Sequence, residues 1–468
     1  MEKKEKLNEQ GVPFGARQKM PLWYGLAWSS RGISAAINVI ILMQITYYCT
    51  DILGLNAAVI GGLFLISKVI DAFTDLGFGF ILDRTHTRFG KARPYEWFIV
   101  LEWLFTVWMF NAPKIGTTGQ YIWIFIMYVI VNAVCATALG GIDSVYLARS
   151  FTTSRNQIAV MSINGFIVMM TSVVFNIWFP GWLATEGTTQ AGWRALLIPL
   201  AAAMSAIGIL RFFICREIVA DQPQDGNTTD VGSLSIRESL QLLTKNKYLF
   251  IIVGLMFLTF FVNNMNAATT YYFKYIVGDI SLMGKVAITS LIVVPALAIF
   301  PVLSNKFGTT KLLQGCTFIG VIGLVIRTIG GTNLATIILG GCLMGIGTLP
   351  ISLMINTYLI DCMDYGEWKT GTRIEGLIAS IANFASKVGN GGALGTVGFV
   401  MGLVGYEGLT KVQSPETNAA IVFLYNILPL ILYVLMFILS VNYKMDQIRP
   451  QMDADLKAKR EMQDGGTI

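Results

Sequence analysis

The stretch "DAFTDLGFGFILDRTHTRFGKARPY", from Asp71 to Tyr95, joins an apolar half to a basic half. The apolar half carries Asp71 and Asp75, although an ionised side chain in mid-membrane costs at least about 2.5–3.5 kcal/mol. The basic half supplies four cations, Arg84, Arg88, Lys91 and Arg93. An apolar helix followed by such a cluster predicts a membrane span whose basic loop lies in the cytoplasm.

The rest of the chain has a membrane-protein composition. Of its 468 residues, 54% are hydrophobic and only 13% are charged, whereas soluble proteins average about 25% charged residues. Twelve apolar segments without period-two alternation predict an all-α membrane protein with twelve transmembrane helices. The segments cover residues 21–49, 56–82, 96–113, 120–147, 157–182, 193–215, 248–275, 281–303, 311–330, 333–363, 375–404 and 418–443.

The distribution of Lys and Arg predicts the orientation. The polar tail 1–20, the second-to-third loop and the loops near Arg149 and Lys306 are basic, whereas the first loop has no cation and the third-to-fourth loop has only Lys114. Both termini are therefore expected in the cytoplasm of a plasma-membrane protein. The tail has no apolar region typical of a signal peptide, and six scattered cysteines predict free thiols.

A polar linker at 216–247 divides the chain into two predicted six-helix bundles, 21–215 and 248–443, followed by a cytoplasmic tail at 444–468. The bundles share short repeats. "TYYCTDILG" starts at Thr46 and "TYYFKYIVG" at Thr270, while "RFGKARP" from Arg88 has a weaker echo in "KFGTTKL" from Lys306. Chance similarity is the alternative, but two related halves are typical of the major facilitator fold.

Charges inside the apolar segments indicate the chemistry. Lys68, Asp71 and Asp75 lie along one helix face, where two carboxylates suit sodium or a proton and Lys68 neutralises the empty site. Lys387 in segment eleven is a second candidate for this role. The alternative is that these residues form static ion pairs, although a buried pair often contributes little to stability.

Substrate needs polar groups of its own, and Asp143 at the end of segment four is well placed for hydrogen bonds. Tyr146, Trp28 and Trp178 are candidates to stack on a sugar face, although a single Trp is more often a core or interfacial residue. Other chemistry has little support. His86 is the only histidine, no phosphate-binding GxxxxGK[ST] loop occurs, and a net charge of +6 spread over loops does not indicate nucleic-acid binding.

Two motifs give the chain a family resemblance. The quoted stretch, with its aspartate pair and "RFGKARP", resembles the signature of the glycoside–pentoside–hexuronide:cation symporters, the melibiose-permease family. A second stretch, "DCMDYGEWKTGTRIEGLIASIANFASK" from Asp361 to Lys387, resembles that family's segment between helices ten and eleven. The resemblance implies the twelve-helix major facilitator fold, alternating access and no prosthetic group.

The resemblance also assigns roles to residues. It places Asp71 and Asp75 in the cation site, with Thr74 between them. It matches Asp143 to an acidic residue that contacts sugar hydroxyls. It assigns Lys68 and Lys387 to the basic groups beside the cation, with Asn383 one turn before Lys387.

Departures from the family pattern affect the substrate. Where melibiose-type members have an acidic ligand in helix one, this chain has Ala35, with Arg31 one turn earlier. A helix-five arginine is missing, and Asn164 lies nearby. Arg31 predicts an acidic sugar if it contacts substrate; otherwise it pairs with Asp143 or a segment-two aspartate, and a neutral glycoside or pentoside is expected.

The leading prediction is a symporter, not an enzyme, that imports a sugar with Na⁺ or H⁺, with Li⁺ as a further candidate. The expected partners are the sugar, a monovalent cation and the lipid bilayer, with no nucleic acid, resident metal or cofactor. The alternatives are a facilitator-fold carrier of a polyol, lipid or drug, and a non-transporting sensor or enzyme on the same scaffold. The basic loop is expected to form clasps that stabilise one access state through Arg84, Arg88, Lys91 and Arg93.

Overall fold

The computed structural model describes residues 13–16, 20–85, 87–218, 244, 246–265, 267–289, 299–300, 302–304, 306–371, 375–410 and 412–464. Most of the N-terminal tail, most of the central linker, and His86 lie outside these residues. Part of the second motif, residues 372–374, also lies outside them. Predictions that fall on these segments stay predictions.

The helices of the first half follow the predicted apolar segments. They are α1 Leu22–Leu42, α2 Ala57–Asp83, α3 Phe98–Met109, α4 Gly116–Val129, α5 Thr137–Ser150, α6 Ser154–Thr185, α7 Gln190–Gly208 and α8 Leu210–Ile214. Turns of π-helix extend α1 at Tyr48–Ile52 and join α4 to α5 at Ile130–Ala136. A short 3₁₀ helix, Arg93–Trp97, precedes α3.

The second half is built in the same way. Its described helices are α9 Lys247–Asn264, α10 Ala267–Tyr272, α11 Leu282–Ala287, α12 Thr309–Gly330, α13 Leu334–Thr370, α14 Glu375–Leu403, α15 Pro415–Val422, α16 Leu428–Asn442 and α17 Met445–Asp464. Turns of π-helix follow α10 at Phe273–Val277 and join α15 to α16 at Phe423–Ile427.

Polar side chains set the starts of several spans. Asn56 accepts hydrogen bonds from the Ala58 and Val59 amides at the start of α2, and Asn333 caps α13 in the same way. The side-chain oxygens of Thr189, Asn246 and Ser414 cap α7, α9 and α15. These caps satisfy amides that have no partner within the helix, so the helices begin at the polar edge of each apolar run.

Nine described helical stretches are long and apolar enough to cross a membrane. Helices α3 and α14 coincide with the predicted third and eleventh segments, while the predicted eighth segment lies partly outside the described residues. The described residues contain no β-strand. The prediction of an all-α multi-span membrane protein is therefore confirmed, and the count of twelve stays a prediction.

The chain divides into two compact units. The first comprises Met1–Gln224 together with Gly405–Gln413, and the second comprises Asp225–Val404 together with Ser414–Ile468. Within the first unit α1 packs on α6 and α7, and α3 packs on α7; within the second, α12 packs on α13 and α16, and α9 on α14. The segment Gly405–Gln413 was not expected in the first unit, where the Tyr406 hydroxyl lies 2.8 Å from both carboxylate oxygens of Asp51.

The sequence repeats adopt the same local conformations. "TYYCTDILG" and "TYYFKYIVG" each end in a π-helical turn followed by a glycine with positive φ, +67° at Gly54 and +84° at Gly278. "RFGKARP" and "KFGTTKL" also share a glycine with positive φ, +114° at Gly90 and +82° at Gly308. Few residues other than glycine adopt such angles, so the matching glycines give both halves the same turns.

Candidate functional site

Two arginines and two carboxylates form an ion network in the first unit. Arg31 of α1 donates a hydrogen bond from Nη2 to Asp143 Oδ1 of α5, and its Nε lies 3.7 Å from Glu96 Oε2. Arg211 of α8 donates from Nη1 to Asp143 Oδ1 at 3.1 Å, and its Nε lies 3.4 Å from Glu96 Oε1. Each carboxylate thus contacts both guanidinium groups, and the four charges cancel.

Only one side chain of this network, that of Asp143, is substantially exposed. The side chains of Arg31 and Arg211 are 8% and 3% exposed, Glu96 is fully buried, and Asp143 is 48% exposed. Buried charges are tolerated when they are paired. The two arginines and Glu96 therefore form a closed base for Asp143, which keeps oxygen surface for another ligand.

Asp143 faces a cavity of about 550 Å³ inside the first unit. Its polar lining includes Arg31, Glu102, Asp143, Asn164 and Arg211, and much of the remainder is small or apolar, including Ala35. A mostly apolar cleft with a few convergent polar groups is typical of small-molecule sites. Gly32 admits Asn164, because a Cβ built on Gly32 would lie 2.7 Å from Asn164 Oδ1.

Two of the three predicted aromatic residues, Trp28 and Tyr146, pack around Arg211. Its guanidinium lies 3.6 Å from the centre of the Trp28 ring and 4.8 Å from that of Tyr146, and Tyr146 donates its hydroxyl to the Cys215 carbonyl at 2.6 Å. Trp28 lines the cavity, whereas Tyr146 is fully buried. Trp178 lines a separate, more open cleft. The contacts of Trp28 and Tyr146 hold Arg211 in place by cation–π attraction.

Asp71 and Asp75 of α2 meet at one hydroxyl group. Thr137 Oγ1, at the start of α5, lies 3.0 Å from Asp71 Oδ1 and 2.8 Å from Asp75 Oδ1. A hydroxyl has one hydrogen to donate, so at any moment it donates to one of the two carboxylates. The cluster gathers three oxygen ligands on a half-buried face, which suits a small cation.

Lys68 lies beside this cluster, as its position in the helix predicts. Its Nζ is 3.6 Å from Asp71 Oδ2 and donates to Asn132 Oδ1 at 3.4 Å. Thr74 has a different environment, because its hydroxyl donates to the Asp71 carbonyl at 3.0 Å, within its own helix. Asn383 and Lys387 lie on α14 in the second unit, where Asn383 is exposed and Lys387 half-buried.

The basic loop after α2 wraps around one carboxylate. Glu217 accepts backbone hydrogen bonds from Lys91, Ala92 and Arg93 at 3.1, 2.8 and 2.9 Å, and the Arg149 side chain at 2.6 Å. The Arg93 side chain donates to the Phe212 carbonyl at 2.7 Å. The loop is thus tied to the end of the sixth span, with Arg84 and Arg88 exposed.

The second unit repeats this arrangement with a different acid. Asp446, after α16, accepts the Thr310 amide and the Thr309 hydroxyl, both at 2.9 Å, within the "KFGTTKL" turn. The positive-φ glycine permits both loops, since a Cβ on Gly90 or Gly308 would lie 2.4 Å from an atom of the acid's side chain. The two halves share this contact although the sequence echo is weak.

Sequence reasoning missed several residues of these clusters, among them Arg211, Glu96, Thr137 and Glu217. Arg211 carried a usable signal, because it is a cation near the end of an apolar segment. Glu96 is the first residue of the predicted segment 96–113, directly after the basic loop, and nothing around it in the sequence indicates a partner. Thr137 and Glu217 carried none, since a lone Thr in a helix and a lone Glu in a linker are ordinary.

Comparison with known proteins adds a family and several relatives. A family profile described as MFS/sugar transport protein matches residues 31–447. The chain is 28% identical to the isoprimeverose transporter of Lactiplantibacillus pentosus over 88% of this chain and 86% of the relative. It is 25% identical to the putative glycoside/cation symporter YagG of Escherichia coli (strain K12), over 92% and 93%. The chain is also 24% identical to the glucuronide carrier protein homolog of the same strain, over 84% of this chain and 85% of that relative.

Solved transporters share the fold. The nucleoside transporter NupG superposes with a TM-score of 0.57 at 13% identity, covering 88% of this chain and 99% of that one. A structure from a study of proton dependent oligopeptide transporters superposes with a TM-score of 0.62 at 11% identity, covering 92% of this chain and 100% of that one. At such identities the likeness concerns the fold alone.

Proposed function

The chain belongs to the MFS/sugar transport protein family, and from this premise we propose that it imports a neutral sugar together with a monovalent cation. The family and its relatives make it a multi-pass membrane sugar transporter rather than an enzyme, in agreement with the family resemblance of the sequence. The cation, the class of sugar, the plasma-membrane location and the cytoplasmic termini are parts of the proposal.

The half-exposed Asp143 on its base of paired arginines carries the proposal for the sugar. Sugar hydroxyls donate well to a carboxylate, and hydrogen bonds to charged acceptors are among the stronger ones. The network has no positive charge left for a substrate carboxylate, because Asp143 and Glu96 neutralise Arg31 and Arg211. This balance favours a neutral glycoside or pentoside over an acidic sugar.

The oxygen cluster of Asp71, Asp75 and Thr137 supports the proposal for the cation. A hard cation such as Na⁺ takes carboxylate and hydroxyl oxygens, and it would relieve the repulsion of two carboxylates on one face. Lys68 balances part of that charge when the site is empty. Na⁺ is therefore the first coupling ion to test, with H⁺ and Li⁺ as the competing outcomes.

Uptake into proteoliposomes tests both parts. Vesicles containing the purified chain are given an inward gradient of Na⁺, Li⁺ or H⁺, and accumulation of labelled isoprimeverose, methyl glucuronide and a polyol is measured. We expect isoprimeverose to accumulate with Na⁺, and Asp143→Asn to abolish its accumulation. Asp453→Asn, an exposed position on α17, is the matched control and should behave as wild type.

Three results would contradict the proposal, two of them directly. One is accumulation of methyl glucuronide in preference to neutral sugars, which would return Arg31 to the role of a substrate ligand. The other is sugar movement that no cation gradient drives, which would indicate a facilitator. Transport of the polyol alone would replace the sugar by another solute class.

A further inference from the structure

One buried acid of the cavity has no part in the ion network. Glu102 of α3 is 3% exposed, and its Oε2 has no hydrogen-bond partner. The same residue lines the cavity together with Arg31 and Asp143. Glu102 thus has a carboxyl oxygen without a hydrogen-bond partner inside the proposed sugar site.

The surroundings of Glu102 act on its protonation in opposite ways, because burial favours the neutral form and Arg31 favours the ionised form. Burial of an ionised carboxylate without hydrogen bonds is costly, and protonation removes that cost. Arg31 attracts the ionised form, but Asp143 and Glu96 already neutralise that arginine. A ligand that changes the contacts of Arg31 or Asp143 therefore changes the cost of ionising Glu102.

Charged and titratable groups near Glu102 lie on several of the elements around α3. Cys135 lies on the Ile130–Ala136 turn, which packs against α3, while Arg194 of α7 is engaged with Asn111. The remaining groups belong to the ion network: Arg31 on α1, Glu96 on the 3₁₀ turn, Asp143 on α5 and Arg211 on α8.

We propose that Glu102 is a proton-binding site whose occupancy sets how tightly the cavity holds sugar. Protonated Glu102 leaves the paired network neutral and supplies an O–H group that can donate a hydrogen bond to a sugar oxygen. Ionised Glu102 adds a third carboxylate that competes with Asp143 for Arg31 and offers the sugar no donor. The neutral form therefore binds sugar more tightly, and sugar binding takes up a proton, because the coupling is reciprocal.

This proton site is separate from the proposed cation site at Asp71 and Asp75. It rests on the proposed function only for the identity of the ligand. Proton binding itself can be tested without any sugar. Infrared difference spectroscopy of the reconstituted chain across neutral pH reports the C=O stretching band of a protonated carboxyl group.

We expect wild type to gain one such band on acidification, Glu102→Gln to lose it, and Asp75→Asn to retain it. Glu102→Asp keeps a carboxyl group and should show a shifted band, which guards against a loss caused only by misfolding of the Gln variant. An unchanged band in Glu102→Gln would overturn the proposal, and so would a wild-type Glu102 band that is constant with pH.

A second measurement connects the proton to sugar. In lightly buffered solution, isoprimeverose binding to wild type should take up as much as one proton per sugar, reported by a pH-sensitive dye. Glu102→Gln should abolish this uptake and bind with a pH-independent affinity equal to that of acidified wild type. Equal proton uptake by wild type and Glu102→Gln would overturn the link. If isoprimeverose does not bind, the proposed function fails in that arm, while the infrared result still decides whether Glu102 binds a proton.

Discussion

At the scale of single residues, the site depends on which acidic side chain neutralises which arginine. Arg31 was predicted either to contact an acidic substrate or to pair with an acid, and it lies against Asp143 and Glu96. The unforeseen Arg211 completes the balance. Removing one member leaves a buried charge uncompensated, which costs about 3–5 kcal/mol.

This balance predicts the behaviour of a double-mutant cycle. Arg211→Gln and Glu96→Gln should each lower the unfolding temperature, because each leaves a buried charge with one partner fewer. The double variant should be more stable than the sum of the two losses implies, since both opposite charges are gone. Fluorescence-monitored melting in detergent checks this, and strictly additive losses would contradict the network.

The bridging hydroxyl gives a second prediction at this scale. Thr137→Val keeps the shape but removes one oxygen, and we expect the cation concentration for half-maximal uptake to rise about tenfold, because a hydrogen bond to a charged group contributes about 1.5 kcal/mol. Thr328→Val is the matched control, since Thr328 donates only to a carbonyl of its own helix. Equal responses of the two variants would remove Thr137 from the cation site.

At the scale of elements, each half closes its second-to-third loop on an acid that follows its own sixth span. Glu217 accepts hydrogen bonds from three consecutive backbone amides in the first unit, and Asp446 accepts one from the Thr310 amide in the turn of the second unit. The loop of the first unit was predicted to clasp through its basic side chains. In the structure its backbone amides supply most of the contacts to Glu217, and the role of Arg84, Arg88, Lys91 and Arg93 in an access state stays a prediction.

The close fit of this turn can be measured with two glycines. Gly90→Ala places a methyl group 2.4 Å from the Glu217 carboxyl carbon, at φ +114°. Gly116 also has a positive φ, +79°, but open space around it. Gly90→Ala should therefore lower the unfolding temperature clearly more than Gly116→Ala, whose cost is backbone strain of about 1–3 kcal/mol. Equal losses would show that Glu217 does not hold the turn.

At the scale of the whole molecule, two units of similar build carry different chemistry. The ion network, the cavity and the paired aspartates all belong to the first unit, whereas Asn383 and Lys387 belong to the second. The positions of Lys and Arg predict the membrane orientation of both units by the same rule. That orientation applies to all spans together and so has a direct test.

Accessibility of introduced cysteines should report it. All six native cysteines are buried, so an impermeant thiol reagent should leave intact wild-type cells unlabelled. Arg88→Cys, exposed in the basic loop, should react only after the cells are opened, and Thr118→Cys, exposed in the first turn of α4, should react from outside. The reverse pattern would invert the proposed topology.

The sequence by itself determined the all-helical, membrane-spanning architecture, the face shared by Lys68, Asp71 and Asp75, and the family. These features are local or periodic, because a helix in lipid satisfies its own backbone and places residues three or four apart on one side. Only the tertiary structure decided that Arg31 is neutralised, that Arg211 and Glu96 close its network, and that Thr137 bridges the aspartates. Arg31 and Asp143 are 112 positions apart, and Asp71 and Thr137 are 66 apart. Such partners are set by which helix packs against which, and no local pattern of residues encodes that choice.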